Sequence, residues 1–220
     1  MHYNSSPQSN VAPFVASRIL AQLQQSKKVL WLLSGGSGAK VCIEVSRLLK
    51  DHDLSNLFAT MSDERYGDIG HPDENIQQLL DGGFSLERAT LYRPLNGTSV
   101  EETTSLFSSW LTDIYHTVDY RIAVLGVGED GHTCGIKPHS PAVTSTTAAS
   151  HFVGEDFERI TITATSLRRI DEGVVQAYGE NKHAVIERLI KGREELNDFP
   201  MLAIRDIPRV TIFSDYKEDK

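Results

Sequence analysis

Residues 121–133 read RIAVLGVGEDGHT, an apolar run followed by a glycine-rich loop that carries two acidic residues and a histidine. A short apolar run of this kind is typical of a buried strand, so the loop begins where that strand ends. The letters GVGEDG also match the G-x-G-x-x-G pattern of dinucleotide-binding turns. That pattern requires an amphipathic helix directly after the glycines, and Pro138 and Pro141 interrupt the segment that follows. We therefore interpret 126–133 as a loop that presents side chains at the end of a strand.

Short β-branched apolar runs alternate along the chain with stretches whose apolar residues recur at helical spacing. The predicted strands are 28–33, 57–61, 89–92, 121–125, 159–163 and 209–213. The predicted helical faces lie within 15–23, 41–49, 106–114 and 185–190. This alternation is typical of an α/β protein with a parallel sheet. We expect residues 1–220 to form a single-domain, Rossmann-like α/β fold, with a mostly parallel sheet, helices on both faces and a loop over 142–150.

Composition limits the functions that the chain can serve. Its net charge of −8 at pH 7 argues against nucleic-acid binding, which needs a basic face. No run approaches the ~18 apolar residues of a membrane span, and the polar start MHYNSSPQSN predicts no export signal. Cys42 and Cys134 have neither the spacing of a metal site nor a disulfide framework, which favours a reducing compartment. We expect a cytoplasmic monomer with no nucleic-acid or membrane partner.

The predicted strand 28–33 leads into the loop SGGSG at 34–38, and a helical apolar face follows. Such a turn presents several backbone N–H groups at the positive end of a helix, and this arrangement binds phosphate without a basic side chain. Two adjacent glycines between serines exceed what a turn requires, which favours an anion site. The alternative is a tight turn whose glycines serve geometry alone.

Charged residues begin or follow three other predicted elements. Asp63 and Arg65 follow the strand 57–61, Arg159 opens a strand, and Lys182 opens a helix. Each of them, judged singly, is more typical of a solvated surface charge. If the cations point to the same strand ends as SGGSG, they supply the local positive charge that an acidic protein needs for an anionic substrate.

Asp130 and His132 lie two residues apart on the loop 126–133. Histidine titrates near neutral pH and is therefore a natural general base, and a nearby carboxylate can orient its ring. The alternative is an ordinary surface histidine, since the chain contains eight histidines.

Taken in order, these segments resemble the 6-phosphogluconolactonase family. They are SGGS, then DER followed by H-P-x-x-N, then G-x-G-x-D-G-H-T, then R-I-T-x-T, then a lysine before an apolar helix. The resemblance covers nearly the whole chain, and G-x-D-G-H-T is its most specific part. It implies a Rossmann-like fold shared with glucosamine-6-phosphate deaminase. It also implies hydrolysis of 6-phosphogluconolactone in the pentose phosphate pathway.

The resemblance also implies roles for particular residues. The general base falls on His132, the acidic residue and arginine of the active site fall on Asp63 and Arg65, and Asp130 helps to hold the geometry. The phosphate-binding residues fall on Gly35, Gly36, Ser37, Arg159 and Lys182. The family uses no obligatory metal or organic cofactor, so we expect none here. The expected partner is a sugar-phosphate lactone.

The chain departs from the family's usual pattern at three places. Gly38 and Ala39 replace a Thr-Pro pair after GGS, and CGIKP at 134–138 replaces a small residue followed by Ser-Leu-Phe-Pro. Glu74 replaces the serine before the loop asparagine. These differences bear on the shape and affinity of the pocket more than on the histidine.

Two other functions stay open at this point. The first is the related deaminase and isomerase of amino-sugar phosphates, which carries isoleucine after the histidine and a glutamate five residues beyond it. Thr133 and Lys137 occupy those positions here. The second is a non-catalytic protein that binds the sugar phosphate without turnover. Retention of Asp63, Arg65 and His132 together favours the lactonase.

Overall fold

The computed structural model describes residues 1–217. The strands are β1 (His2–Asn4), β2 (Val29–Leu33), β3 (Leu57–Met61), β4 (Asp63–Arg65), β5 (Thr90–Tyr92), β6 (Tyr120–Leu125), β7 (Ala149–Val153), β8 (Glu158–Ile162), β9 (Glu172–Ala177) and β10 (Arg209–Ser214). The helices are α1 (Val11–Leu23), α2 (Ala39–Leu49), α3 (Asn75–Asp81), α4 (Val100–Thr117), α5 (Pro141–Thr144), α6 (Ala164–Leu167) and α7 (His183–Lys191). Within this part of the chain, no helix combines the length and apolar character needed to cross a membrane.

The main sheet contains seven strands in the order β1-β10-β9-β6-β2-β3-β5, and every neighbouring pair is parallel. Alternate residues of β2 belong to two separate hydrophobic clusters. Leu30 and Leu32 pack with residues of α4 and α7, whereas Val29, Trp31 and Leu33 pack with residues of α1 and α2. Helices therefore cover both faces of the sheet, which confirms the predicted α/β fold class.

A second, three-stranded antiparallel sheet has the order β4-β8-β7. The strand predicted at 159–163 is present as β8, but it lies in this small sheet and outside the parallel one. Residues 63–65, which follow the predicted strand 57–61, form the edge strand β4 of the small sheet. The segment 142–150, expected as a loop, contains most of α5 and the start of β7. Short edge strands leave little periodicity in a sequence, so their pairing could not be read from the pattern.

Ser62 is the one residue between β3 and β4, and it connects the two sheets. Its N–H donates to the carbonyl of Leu33 in the main sheet (2.9 Å), and its carbonyl accepts from the N–H of Ile162 in the small sheet (2.9 Å). The side chains of β4 are thereby fixed just beyond the carboxyl end of β3.

The chain leaves the middle of the main sheet in opposite directions after β2 and after β6. From β2 it runs to β3 and β5 on one side, whereas β9 and β10 extend the sheet beyond β6 on the other side. In open α/β sheets, ligands bind outside the carboxyl ends of the strands at such a switch point. The loops 34–38 and 126–132 lie there.

Candidate active site

A cavity of about 180 Å³ opens at this switch point. Its walls come from the loop after β2, from β4, from the start of α3, from the loop after β6 and from β8. The lining residues are Ser34, Gly35, Gly36, Ser37, Asp63, Arg65, Asn75, Gly126, Val127, His132, Cys134 and Arg159.

The loop after β2 owes its shape to two glycines. Gly36 has a φ of 51°, a left-handed conformation that favours glycine. Gly35 lies against the side chain of Asn75, and a Cβ atom there would come within 2.4 Å of its Oδ1 atom. The carbonyl of Ser37 accepts a hydrogen bond from Gln176 of β9 (2.7 Å). Asn75 and Gln176 therefore contact the two ends of the turn. The turn lies directly before α2, whose first N–H groups lack intrahelical acceptors.

His132 is oriented by Asp130. The Oδ1 atom of Asp130 lies 2.5 Å from Nδ1 of His132 and 3.2 Å from its backbone nitrogen. Partial burial raises the pKa of Asp130, but the hydrogen bonds and charge of His132 outweigh it and hold that pKa below its usual range. An ionised Asp130 accepts a hydrogen bond from the Nδ1–H group of His132, which leaves Nε2 as the unprotonated nitrogen that can act as a base.

Arg65 and Arg159 lie on neighbouring strands, directly opposite each other in the β4–β8 register. Both guanidinium groups stack on the ring of Phe157, with their central carbons 4.4 and 5.6 Å from its centroid. Arg159 pairs with Asp156 (2.6 Å), and Arg65 lies 3.7 Å from a carboxylate oxygen of Asp73. The Nε atoms of both arginines are buried and have no hydrogen-bond partner among residues 1–217. Two cations therefore line one wall of the cavity, and each has an N–H group that is not used in a hydrogen bond within the described residues.

Asp63 is the carboxylate that lines the cavity in the described part of the chain. Its Oδ2 atom lies 4.0 Å from Arg159, and its Oδ1 atom accepts from the hydroxyl of Ser62 (3.1 Å). Burial raises the pKa of Asp63, while the charges of Arg159, His132 and Arg65 oppose that shift. The carboxyl group is therefore within electrostatic range of both arginines and of the histidine.

Glu64 is fully buried, and its side chain caps the N-terminus of α3 although it belongs to β4. It accepts the backbone N–H groups of Asn75 (2.5 Å), Ile76 (3.1 Å) and Arg65 (2.8 Å). Burial raises the pKa of Glu64 to about 8 against these hydrogen bonds. Asn75 in turn donates from Nδ2 to the carbonyl of Asp63 (3.0 Å). Glu64 and Asn75 thus join the first turn of α3 to β4.

The structure brings together most of the residues that the sequence indicated. Gly35, Gly36, Ser37, Asp63, Arg65, His132 and Arg159 all line the cavity. Asp130 does not line it and lies behind the histidine. Lys182 is also absent from the lining, and its ammonium group lies 4.0 Å from Glu129.

Sequence reasoning missed Asn75 and Cys134 as lining residues, although both stand in segments that it singled out. Cys134 follows the GHT triplet with a φ of 53°. Burial raises the pKa of its thiol to about 12, so the sulfur stays protonated at neutral pH. This leaves His132 as the better base.

The positions that separate the lactonase pattern from the deaminase pattern are also defined. Lys137 lies 3.7 Å from Asp130 and does not line the cavity. Glu129, the nearest glutamate in sequence, accepts a hydrogen bond from the side chain of Asn181 (2.6 Å). Within residues 1–217, no group of three or more His, Cys, Asp or Glu side chains could hold a metal ion.

The fold and the cavity define a Rossmann-like α/β protein whose strand-end site combines a histidine–aspartate pair with two arginines. A family model described as glucosamine-6-phosphate isomerases/6-phosphogluconolactonase matches residues 5–212. The chain belongs to this family.

Two curated relatives are named 6-phosphogluconolactonase. The protein from Pseudomonas aeruginosa is 31% identical over 60% of this chain and 56% of its own length. The protein from Synechocystis is 24% identical over 84% of this chain and 81% of its own length. The first match therefore spans a little over half of that relative.

Solved structures agree in fold. A 6-phosphogluconolactonase from Shewanella baltica has a TM-score of 0.79 at 24% identity and covers 97% of this chain and 96% of its own. A monomeric glucosamine-6-phosphate deaminase has a TM-score of 0.78 at 17% identity and covers 97% of both chains. The fold is common to both activities, so the side chains must distinguish them.

Proposed function

We propose that this chain hydrolyses 6-phosphogluconolactone to 6-phosphogluconate, with His132 as the general base. The observation that carries the proposal is the position of His132, which is held at Nδ1 by Asp130 and faces the same cavity as Arg65 and Arg159. The names of the curated relatives support the same substrate.

In the proposed complex, the phosphate of the substrate binds at the loop of Gly35, Gly36 and Ser37. Backbone N–H groups at the start of α2 and the guanidinium of Arg159 would donate to its oxygens. Lys182, which lies outside the cavity lining and 4.0 Å from Glu129, would add longer-range attraction for the dianion. Binding at this end places the lactone ring towards His132 and Arg65.

The reaction needs one base and one group that stabilises the oxyanion. Nε2 of His132 takes a proton from water as the water oxygen bonds to the lactone carbonyl carbon. The carbonyl oxygen gains negative charge, which Arg65 stabilises. When the carbonyl re-forms, the bond to the ring oxygen breaks, and the imidazolium returns its proton to that oxygen. The product is an open-chain acid that ionises in water.

The deaminase alternative has less support from the site. That reaction opens a sugar ring and moves a proton between adjacent carbons, so it needs an acid–base group besides the histidine. Lys137 pairs with Asp130 outside the cavity, and Glu129 points to Asn181. No glutamate lines the cavity in the described residues.

A coupled assay tests the proposal directly. Glucose-6-phosphate dehydrogenase generates the lactone, and its disappearance is compared with spontaneous hydrolysis in the absence of the protein. We expect faster disappearance with the protein, and no ammonia from glucosamine-6-phosphate. Ammonia release at a comparable rate would support the deaminase, and binding without turnover in either assay would support the non-catalytic alternative.

The proposed phosphate contact predicts a specific loss in the variant Arg159→Gln. Removing a charge-assisted hydrogen bond costs about 1.5–3 kcal/mol, so KM should rise roughly 10- to 100-fold. Arg47→Gln is the matched control, because Arg47 is exposed and pairs with Glu44 on α2. An unchanged KM in Arg159→Gln would remove Arg159 from the phosphate site.

We further propose that the chain acts as a monomer. In the described residues, one chain supplies histidine, carboxylate, cations and glycine loop to a single cavity. Sedimentation equilibrium of the active protein, compared with the 24.5 kDa of one chain, tests this.

A further inference from the structure

A second cavity of about 250 Å³ lies away from the catalytic cavity and shares no lining residue with it. Its walls are the C-terminal half of α4, the segment 146–148, and α6 with the residues that follow. The lining residues are Ser108, Thr112, Tyr115, His116, Thr146, Thr147, Ala148, Thr165, Ser166 and Arg169. We call it the hydroxyl cavity, because seven of these ten side chains carry a hydroxyl group.

Most of these hydroxyl groups already donate their proton to a backbone carbonyl. The acceptor is Ala148 for Ser166 (2.6 Å), Ser145 for Thr165 (2.8 Å), Ser108 for Thr112 (2.8 Å) and Ala149 for Thr147 (2.7 Å). These bonds fix the walls of the cavity and leave those hydroxyls as acceptors only.

Three hydroxyl protons stay uncommitted in the described residues, those of the exposed Thr146, of Ser108 and of Tyr115. Ser108 accepts from the backbone N–H groups of Ala148 (3.1 Å) and Ala149 (3.3 Å), so its own proton is free to be donated. Tyr115 is 4% exposed, and its buried hydroxyl makes no hydrogen bond of normal geometry in the described residues. An unpartnered buried hydroxyl is costly and calls for an explanation, such as an absent ligand or water.

The charge of the hydroxyl cavity is positive. Arg169 is exposed, and its guanidinium forms no ion pair or hydrogen bond with the rest of residues 1–217. The imidazole of His116 also lines the cavity, and no carboxylate lines it within the described chain. Burial raises the pKa of the Tyr115 phenol against the opposing effects of Ser166 and Arg169, so it remains a donor at neutral pH.

We infer that the hydroxyl cavity binds a small phosphate-class oxyanion, held by Arg169, the Tyr115 hydroxyl and the Ser108 hydroxyl. Free donors and a free cation in one cavity match an acceptor-rich anion and do not match a metal ion. The volume equals that of several water molecules at about 30 Å³ each, which is enough for inorganic phosphate or the phosphate end of a sugar phosphate. The inference is independent of the catalytic cavity.

A two-dimensional ¹H–¹⁵N NMR titration with inorganic phosphate tests the inference in the intact chain. The amide signals of Ala148, Ala149 and Ser166 report on the hydroxyl cavity, and those of Gly36 and Ser37 report on the proposed catalytic phosphate site. We expect saturable shifts in the first set, which sodium chloride at matched ionic strength does not reproduce. Titration with 6-phosphogluconate and with gluconate distinguishes a sugar phosphate from free phosphate as the source.

Arg169→Gln should weaken the response of the first set roughly tenfold or more. Arg168→Gln is the matched control, because the adjacent Arg168 is exposed and pairs with Asp206 (2.8 Å). Tyr115→Phe and Ser108→Ala should each weaken the same signals, and Ser108→Ala serves if the tyrosine variant folds poorly. Shifts confined to Gly36 and Ser37, or an unchanged response in Arg169→Gln, would overturn the inference. Loss of the Gly36 and Ser37 response alone would count only against the proposed function.

Discussion

The pair of His132 and Asp130 shows how a short loop prepares a base. The carboxylate oxygen contacts both the ring nitrogen and the backbone nitrogen of the same residue, so ring and backbone are fixed together. The turn is closed by the N–H of Gly128, which donates to the carbonyl of His132 (2.9 Å). The base is thereby positioned before substrate arrives, and no residue from a distant segment is needed for it.

Replacing the proposed base gives a sharp prediction. His132→Ala should lower kcat by roughly 10²–10⁴-fold, because general-base catalysis typically contributes that factor. Steady-state rates in the coupled assay measure it, and circular dichroism checks that the variant is folded. His52→Ala, at an exposed position after α2, is the control and should keep full activity. Near-full activity in His132→Ala would rule out this assignment.

Among the elements, α3 depends on a residue outside itself. Its preceding residue, Glu74, makes no side-chain cap and pairs instead with Arg93, while Glu64 of β4 accepts the first helical N–H groups. A helix end buried in this way needs such an acceptor, since its first N–H groups have no intrahelical partner.

Substitution of Glu64 should therefore destabilise the protein in a graded way. Glu64→Gln keeps one acceptor oxygen and should cost about 1–3 kcal/mol in the free energy of unfolding. Glu64→Ala leaves all the bonded N–H groups without that acceptor and should cost more. Urea denaturation measures both, with the exposed Glu44→Gln on α2 as a control that should change stability by less than about 1 kcal/mol. Equal stability of all the variants would contradict the capping role.

The sequence predicted those elements whose apolar runs are uninterrupted. β2, β3, β6 and β10 fall within or next to the predicted ranges, and each is largely buried. The central strand β9 was missed because Glu172 and Gln176 interrupt its apolar run. Both are buried, and their partners include Arg18 and Ser37, which lie far away in the chain.

Prediction of the candidate site was also limited to features that a local pattern in the sequence encodes. The loop residues of the glycine turn and of GEDGHT were identifiable because each loop carries its own pattern. The opposition of Arg65 and Arg159 depends on the pairing of β4 with β8, which no local pattern encodes. Lys182 was expected beside the glycine loop, and its contact with Glu129 is a tertiary feature that its position at a helix start did not indicate.

At the scale of the whole molecule, buried acids make stability depend on pH. The pKa of Glu64 rises from 4.5 to about 8 on folding, and that of Asp63 also rises. The folded state therefore binds protons more tightly than the unfolded chain. The contribution of Glu64 protonation to the free energy of unfolding is fully present below pH 4.5 and is lost as pH rises through about 8.

We expect the free energy of unfolding to decrease between about pH 5 and pH 9. Urea denaturation at several pH values measures this, and Glu64→Gln should flatten the slope because glutamine does not titrate. The depressed pKa values of Asp130 and Asp156 act below this window, since both carboxylates are ionised throughout it. A slope of equal size in Glu64→Gln would assign the effect to other groups.

The single-residue link at Ser62 has a consequence for how the molecule opens. Its N–H and its carbonyl are committed to different sheets, so neither sheet can separate locally at this point without breaking a bond of the other. Amide hydrogens of β3, Ser62 and Ile162 should therefore exchange with deuterium through one shared opening event, with similar protection free energies. The wall that carries Asp63 and Arg65 would then be among the last parts of the chain to exchange, although it borders an open cavity.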